Sequence, residues 1–152
     1  MFWAPCSFAF FGFRRVCEFT CSPLHQDVKT DQFRRGVSLS IGASGIRICA
    51  VSAVRRYLQV RGDAPGPLFV LSDGSPLTPV VVNCWLSAML SNLGIRGTYS
   101  SHSFRIGAAT KAASAGIPYH LIKTFGRWSS NAYLRYIRTP SPVLTSIAAV
   151  LA

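Results

Sequence analysis

The 152-residue chain predicts a mainly α fold with a small antiparallel β-sheet (α+β). Three observations point there. Apolar residues recur at helical spacing over two long stretches, Cys49 to Arg61 and Val80 to Leu93. A third stretch, His102 to Ser114, starts behind paired serines and stops at Gly116, as a capped helix does. Apolar and polar residues alternate over Gly36 to Ile41, the pattern of a half-buried strand.

In chain order, Phe2 to Phe19 is apolar apart from Arg14, Arg15 and Glu18 and reads as one core helix, ending in a polar turn near Cys21, Ser22 and Pro23. A strand or turn around Lys29 precedes the strand at Gly36 to Ile41. The helix over Cys49 to Arg61 places Val51, Val54, Tyr57 and Leu58 on one face, with Arg55, Arg56 and Gln59 elsewhere, and Gly62 to Pro67 ends it. Pro67 to Leu71 is a short apolar run, and Ser72 to Ser75 is a turn. Val80 to Leu93 puts Val81, Trp85, Ala88, Met89 and Leu93 at core spacing, with Gly94 as the stop. After the helix at His102 to Ser114 come a short helix from Pro118 to Phe125, a helical turn or two over Asn131 to Arg138, and an apolar helix or tail over Ser141 to Leu151.

Charge narrows the function classes. The net charge is +11, from 16 Lys and Arg against 5 acids, which points to a polyanionic partner, with nucleic acid as the leading candidate. All the acids (Glu18, Asp27, Asp31, Asp63 and Asp73) precede residue 74, whereas Arg96, Arg105, Lys111, Lys123, Arg127, Arg135 and Arg138 follow it. The second half therefore has no paired carboxylates for glycoside hydrolysis and no acidic cluster to hold Mg²⁺. No Gly-rich phosphate loop is present either. Five scattered cysteines do not form a disulfide framework and fit a reducing compartment. Cys17, Cys21 and His25 recur every four residues, yet lack the fourth ligand of a structural zinc site, and reduced core cysteines are the plainer reading. The apolar start lacks a signal peptide's basic region and is too short to span a bilayer of about 20 helical residues.

Within the acid-free half, His102 and Arg105 stand three apart, so a helix puts both on one face within reach of one anion. Gly126-Arg127-Trp128 and Tyr136-Ile137-Arg138 follow. Each segment alone reads as a capped amphipathic helix, a packed tryptophan or a surface tyrosine. Together they read as a phosphate clamp with a nucleophile.

In this order, His102-x-x-Arg105, Gly126-Arg127-Trp128 and Tyr136-Ile137-Arg138 resemble the catalytic domain of tyrosine recombinases, the phage-integrase family. Ser100 to Thr110 (SSHSFRIGAAT), Pro65 to Phe69 (PGPLF) and Gly126 to Ser130 (GRWSS) are similar to the recombinase of DIRS- and Ngaro-type retrotransposons. The resemblance implies a type IB topoisomerase-like catalytic core over residues 1–152, N-terminally truncated, with 1–28 as a shortened N-terminal part and 141–152 as a C-terminal helix or tail. It implies Arg15, in Arg15-Val16-Cys17-Glu18, as the first clamp arginine, with Arg14 at a usually apolar position. It further implies Lys29 as the hairpin lysine, His102 and Arg105 as the second basic pair, Trp128 at a His-or-Trp position and Tyr136 as the nucleophile. Spacing alone does not choose between Tyr133 and Tyr136; the Tyr-Ile-Arg context favours Tyr136.

The implied activity is DNA strand cleavage and rejoining through a 3′-phosphotyrosyl link. No metal or cofactor is expected. The implied partners are double-stranded DNA and further copies of the chain on that DNA, with no membrane, in the nucleus. The alternative is a catalytically impaired recombinase domain acting only as a DNA-binding module, because few residues separate Glu18 from Lys29. A basic interaction domain without a nucleic-acid role is the bland third reading.

Overall fold

The computed structural model describes residues 2–21, 38 and 40–138. Among them are five α-helices: α1 (Trp3–Phe11), α2 (Ala50–Arg61), α3 (Pro79–Asn92), α4 (His102–Ser114) and α5 (Tyr119–Phe125). Two 3₁₀ segments, Val16–Glu18 and Asn131–Tyr136, complete the regular structure. The chain divides into two compact units, Met1–Arg105 and Ile106–Ala152. No helix among the described residues is long and apolar enough to cross a membrane.

In the first unit α1 packs on α2, with Ala4, Ala9 and Ala53 buried in one cluster with Phe19, Tyr57, Phe69, Leu77 and Val82. Phe69 lies among three rings, with centroids 5.7 Å from Phe8, 6.3 Å from Phe19 and 5.3 Å from Tyr57. Such pairs add about 0.5–1.5 kcal/mol each beyond the area they bury. The buried Tyr57 hydroxyl accepts the Val70 N–H at 2.8 Å and so satisfies the loop backbone beside that cluster. Helix α3 starts one residue before the expected Val80: Thr78 Oγ1 accepts the Val81 N–H at 3.3 Å, and Pro79 occupies the first helical position.

One expectation needs correction, and a second finds no support among the described residues. The apolar stretch from Phe2 to Phe19 is not one helix, because α1 stops at Phe11. Arg14 N–H donates to the Ala9 carbonyl at 2.8 Å and Phe13 N–H to the Phe10 carbonyl at 3.2 Å, the paired bonds of a Schellman close. Phe13 sits in the left-handed region at φ 51°. The expected small sheet is also not found: the described residues hold no strand, only an isolated antiparallel bridge between Val70 and Pro76. The Leu71 N–H donates to the Ser75 carbonyl at 2.7 Å and the Leu77 N–H to the Phe69 carbonyl at 3.0 Å on either side of that pair. Of the expected strand at 36–41, Ser38, Ser40 and Ile41 are irregular, and residues 36, 37 and 39 lie outside the described residues.

The described part of the second unit holds the rest of α4, then α5 and the 3₁₀ segment Asn131–Tyr136. Ala108, Ala109, Ile122, Trp128 and Tyr133 are buried there. Helix α4 closes on Gly116 at φ 77°, and α3 in the first unit closes on Gly94 at φ 67°. Helix α5 closes with the same bonds around an arginine instead. Trp128 N–H donates to the Lys123 carbonyl and Arg127 N–H to the Thr124 carbonyl, both at 3.0 Å, with Arg127 at φ 56°.

Candidate active site

Phe13 and Arg127 are the two non-glycine residues with positive φ among the described residues. A left-handed conformation costs an L-residue roughly 1–2 kcal/mol, so the surrounding structure must over-determine both turns. Each turn delivers a residue that the sequence marks as functional. The first leads into Arg15, and the second into Trp128.

In the first unit the Phe13 turn reaches α4. Arg105 is 1% exposed, and its Nη1 donates to the Phe13 carbonyl at 2.8 Å across 92 positions of sequence. That bond holds one edge of the guanidinium by backbone, so its orientation does not depend on a mobile partner. Arg14 lies over the Phe8 ring, its guanidinium carbon 5.5 Å from the centroid, and pairs with Glu18 at 3.7 Å. Glu18 Oε2 also accepts the Arg15 N–H at 3.1 Å, which fixes the backbone at the start of the 3₁₀ turn.

His102 stands one helical turn before Arg105, and its own environment shows that Arg15 belongs to the same group. Partial burial first, then the charges of Arg105 and Arg15, hold the imidazole below its ordinary pKa. A neutral, solvent-accessible His102 can accept a proton, while two guanidinium groups beside it favour an anion. Within this unit the structure places Arg15 and Arg105 close enough to His102 to act on it electrostatically.

The start of α4 is held from α3. Asn83 Oδ1 accepts the Ser101 N–H at 2.8 Å, and Ser101 is buried. Ser100 Oγ accepts the His102 N–H at 3.3 Å, and Ser103 Oγ accepts the Ser100 N–H at 3.1 Å. The expected serine cap is therefore present at Ser100, and Asn83 supplements it. Asn83 carries no sequence signal, because its partner is 18 positions away.

In the second unit Trp128 and Tyr136 are in contact, with centroids 5.9 Å apart and planes inclined at 37°. Tyr133 lies on Trp128 at 5.8 Å and meets Tyr119 at 6.5 Å. Tyr133 is 6% exposed, whereas Tyr136 is only half-buried. Of the two, Tyr136 is the more exposed to solvent. A Cβ placed on Gly126 would fall inside the Trp128 indole, on Cζ3, Cε3 and Cη2, so the glycine exists to admit the ring.

Lys29 and His25 lie outside the described residues. Among those that are described, no three His, Cys, Asp or Glu side chains are grouped to hold a metal ion.

No protein-family model matches this chain, and no curated protein matches it. Solved structures do. The Tn1549 transposon integrase, solved in complex with circular intermediate DNA, superposes with a TM-score of 0.66 at 15% sequence identity. The match covers 98% of this chain and 56% of that one, so the chain spans little more than half the length of the integrase structure. The two share a fold.

Proposed function

We propose that this chain is a tyrosine recombinase catalytic core that cleaves and rejoins DNA through a 3′-phosphotyrosyl intermediate on Tyr136. The observation that carries the reading is that the turn at Phe13, two residues before Arg15, holds the buried Arg105 guanidinium through a 2.8 Å bond across 92 positions, one helical turn from His102. The integrase fold and the charge of +11 support it.

The chemistry follows from the residue types. The Tyr136 oxygen attacks the scissile phosphorus as the P–O5′ bond breaks, and the phenolic proton passes to a general base, a role that the family resemblance offers to His102. Arg15 and Arg105 stabilise the charge gathering on the non-bridging oxygens through paired, charge-assisted donors. Trp128 donates through its indole N–H and packs on the nucleophile's ring. Lys29 protonates the departing 5′ oxygen, a role carried over from the family resemblance. Reversal of the same steps rejoins the strand, so neither metal nor nucleotide is consumed. Kinship with DIRS- and Ngaro-type recombinases, assembly of several copies on DNA and a nuclear location belong to this proposal.

A second reading, a DNA-binding module that does not cut, is favoured by the burial of Arg105. At 1% exposure, its surroundings must part before a phosphate reaches it. Both readings expect binding whose log affinity falls by about 0.9 per neutralised phosphate against log salt. A nicked suicide duplex separates them on denaturing electrophoresis. Cleavage gives a protein–DNA adduct that Tyr136→Phe abolishes. A wild-type chain that binds the duplex and yields no adduct is the binding module.

A further inference from the structure

A threonine inside a helix ordinarily turns its hydroxyl back onto the carbonyl one turn earlier or out to solvent. Thr110 on α4 instead reaches across the second unit. Its Oγ1 donates to the Tyr136 carbonyl at 2.8 Å, 26 positions away, and accepts the Arg138 N–H at 3.4 Å. One hydroxyl thus takes the acceptor before Ile137 and the donor after it.

That insertion sits where the 3₁₀ segment ends. Ile137 N–H still closes onto the Leu134 carbonyl at 3.3 Å, but Ile137 itself is extended at φ −80° and ψ 113°. The backbone leaves helical geometry directly after Tyr136, so the tyrosine's Cα is the last point of a turn with no following turn to brace it. The hydroxyl supplies that brace. Thr110 is itself partly buried, and its preceding neighbours Ala108 and Ala109 are 3% and 0% exposed, so the donor stands on a fixed wall. The Trp128 ring also packs against the Tyr136 ring, with centroids 5.9 Å apart.

We infer that Thr110 is the positioning residue for Tyr136: its hydroxyl sets where the nucleophile's backbone sits without touching the substrate. The inference rests on the proposed cleavage reaction. Misplacing a reacting group by about 1 Å can cost on the order of 100-fold in rate.

The test uses the full chain with Thr110→Val, which keeps the shape and removes both bonds, and Thr110→Ser, which keeps the hydroxyl. On the suicide duplex, Thr110→Val is expected to slow adduct formation about tenfold or more, with duplex affinity changed less than about twofold. Thr110→Ser is expected to recover most of the rate. A merely structural role would lower thermal stability in step with rate and would not spare binding. Exchange of the Arg138 amide proton reads the clamp without activity: slow in wild type and Thr110→Ser, fast in Thr110→Val. Wild-type cleavage with an unslowed Thr110→Val overturns the positioning role and leaves the reaction standing. If wild type gives no adduct, the cleavage reading falls and the catalytic role with it. Equal Arg138 exchange in all three proteins overturns the clamp itself.

Discussion

Gly126→Ala opposes two physical effects of different sign, and the structure says which one wins. Gly126 has φ −77° and ψ −5°, a conformation open to any residue, so backbone entropy alone favours alanine by about 0.4–1 kcal/mol. The new methyl, however, would occupy the Trp128 ring. The indole would have to leave a site where it is 8% exposed and packed at a tilt against both Tyr133 and Tyr136. A tryptophan buries roughly 150–250 Å², worth about 4–6 kcal/mol at ~25 cal/mol per Å² as an upper bound. With part of that area covered again after relocation, a net loss of about 2–4 kcal/mol is expected. Urea unfolding of the full chain, followed by tryptophan fluorescence and near-ultraviolet dichroism, measures it. A variant as stable as wild type, or more stable, would refute the claim that Gly126 is there to admit the ring.

Arg105→Lys keeps the charge but loses the planar fork. It is expected to slow adduct formation about 10²-fold or more on a suicide duplex while duplex affinity falls far less, as measured by a binding titration beside the rate. Folding lowers the proton affinity of His102, so its stabilising contribution is present in full above the ordinary histidine pKa of about 6.5 and is lost as pH falls through the lower folded value. Adduct formation should therefore climb with pH through a step centred below about 6.5, and His102→Gln should erase that step in a rate profile across pH 4–8. Cys6 is 8% exposed, and burial pushes its thiol up to about 12, whereas Cys17 and Cys84 are exposed. Iodoacetamide at neutral pH, read by peptide mass, should label Cys17 and Cys84 and reach Cys6 only in the unfolded chain.

Helices α2 to α5 were legible because their signals are local. Thr78-Pro79 starts α3, Gly94 and Gly116 stop α3 and α4, and the stretch beginning at Pro118 becomes α5 at Tyr119. The end of α1 was hidden, since its left-handed position is held by Phe13 and no glycine advertises it. Arg127 likewise conceals the turn that aims Trp128. The expected strand at 36–41 falls largely outside the described residues, and those that are described hold only the bridge between Val70 and Pro76. Among site residues, Arg15 was reached through resemblance, and its electrostatic influence on His102 comes from tertiary packing that spacing does not carry. Phe13, Asn83 and Thr110 act through bonds spanning 92, 18 and 26 positions, and periodicity carries no trace of such pairs.

The central claim is that Tyr136, and not Tyr133 beside it, takes the phosphate. Trypsin cuts after Arg127, Arg135 and Arg138, so Tyr133 falls in the peptide Trp128–Arg135 and Tyr136 in Tyr136–Arg138. After trapping on a suicide duplex and nuclease trimming, the account expects the nucleotide mass on Tyr136–Arg138. Finding it on Trp128–Arg135, or on neither peptide, would contradict the account.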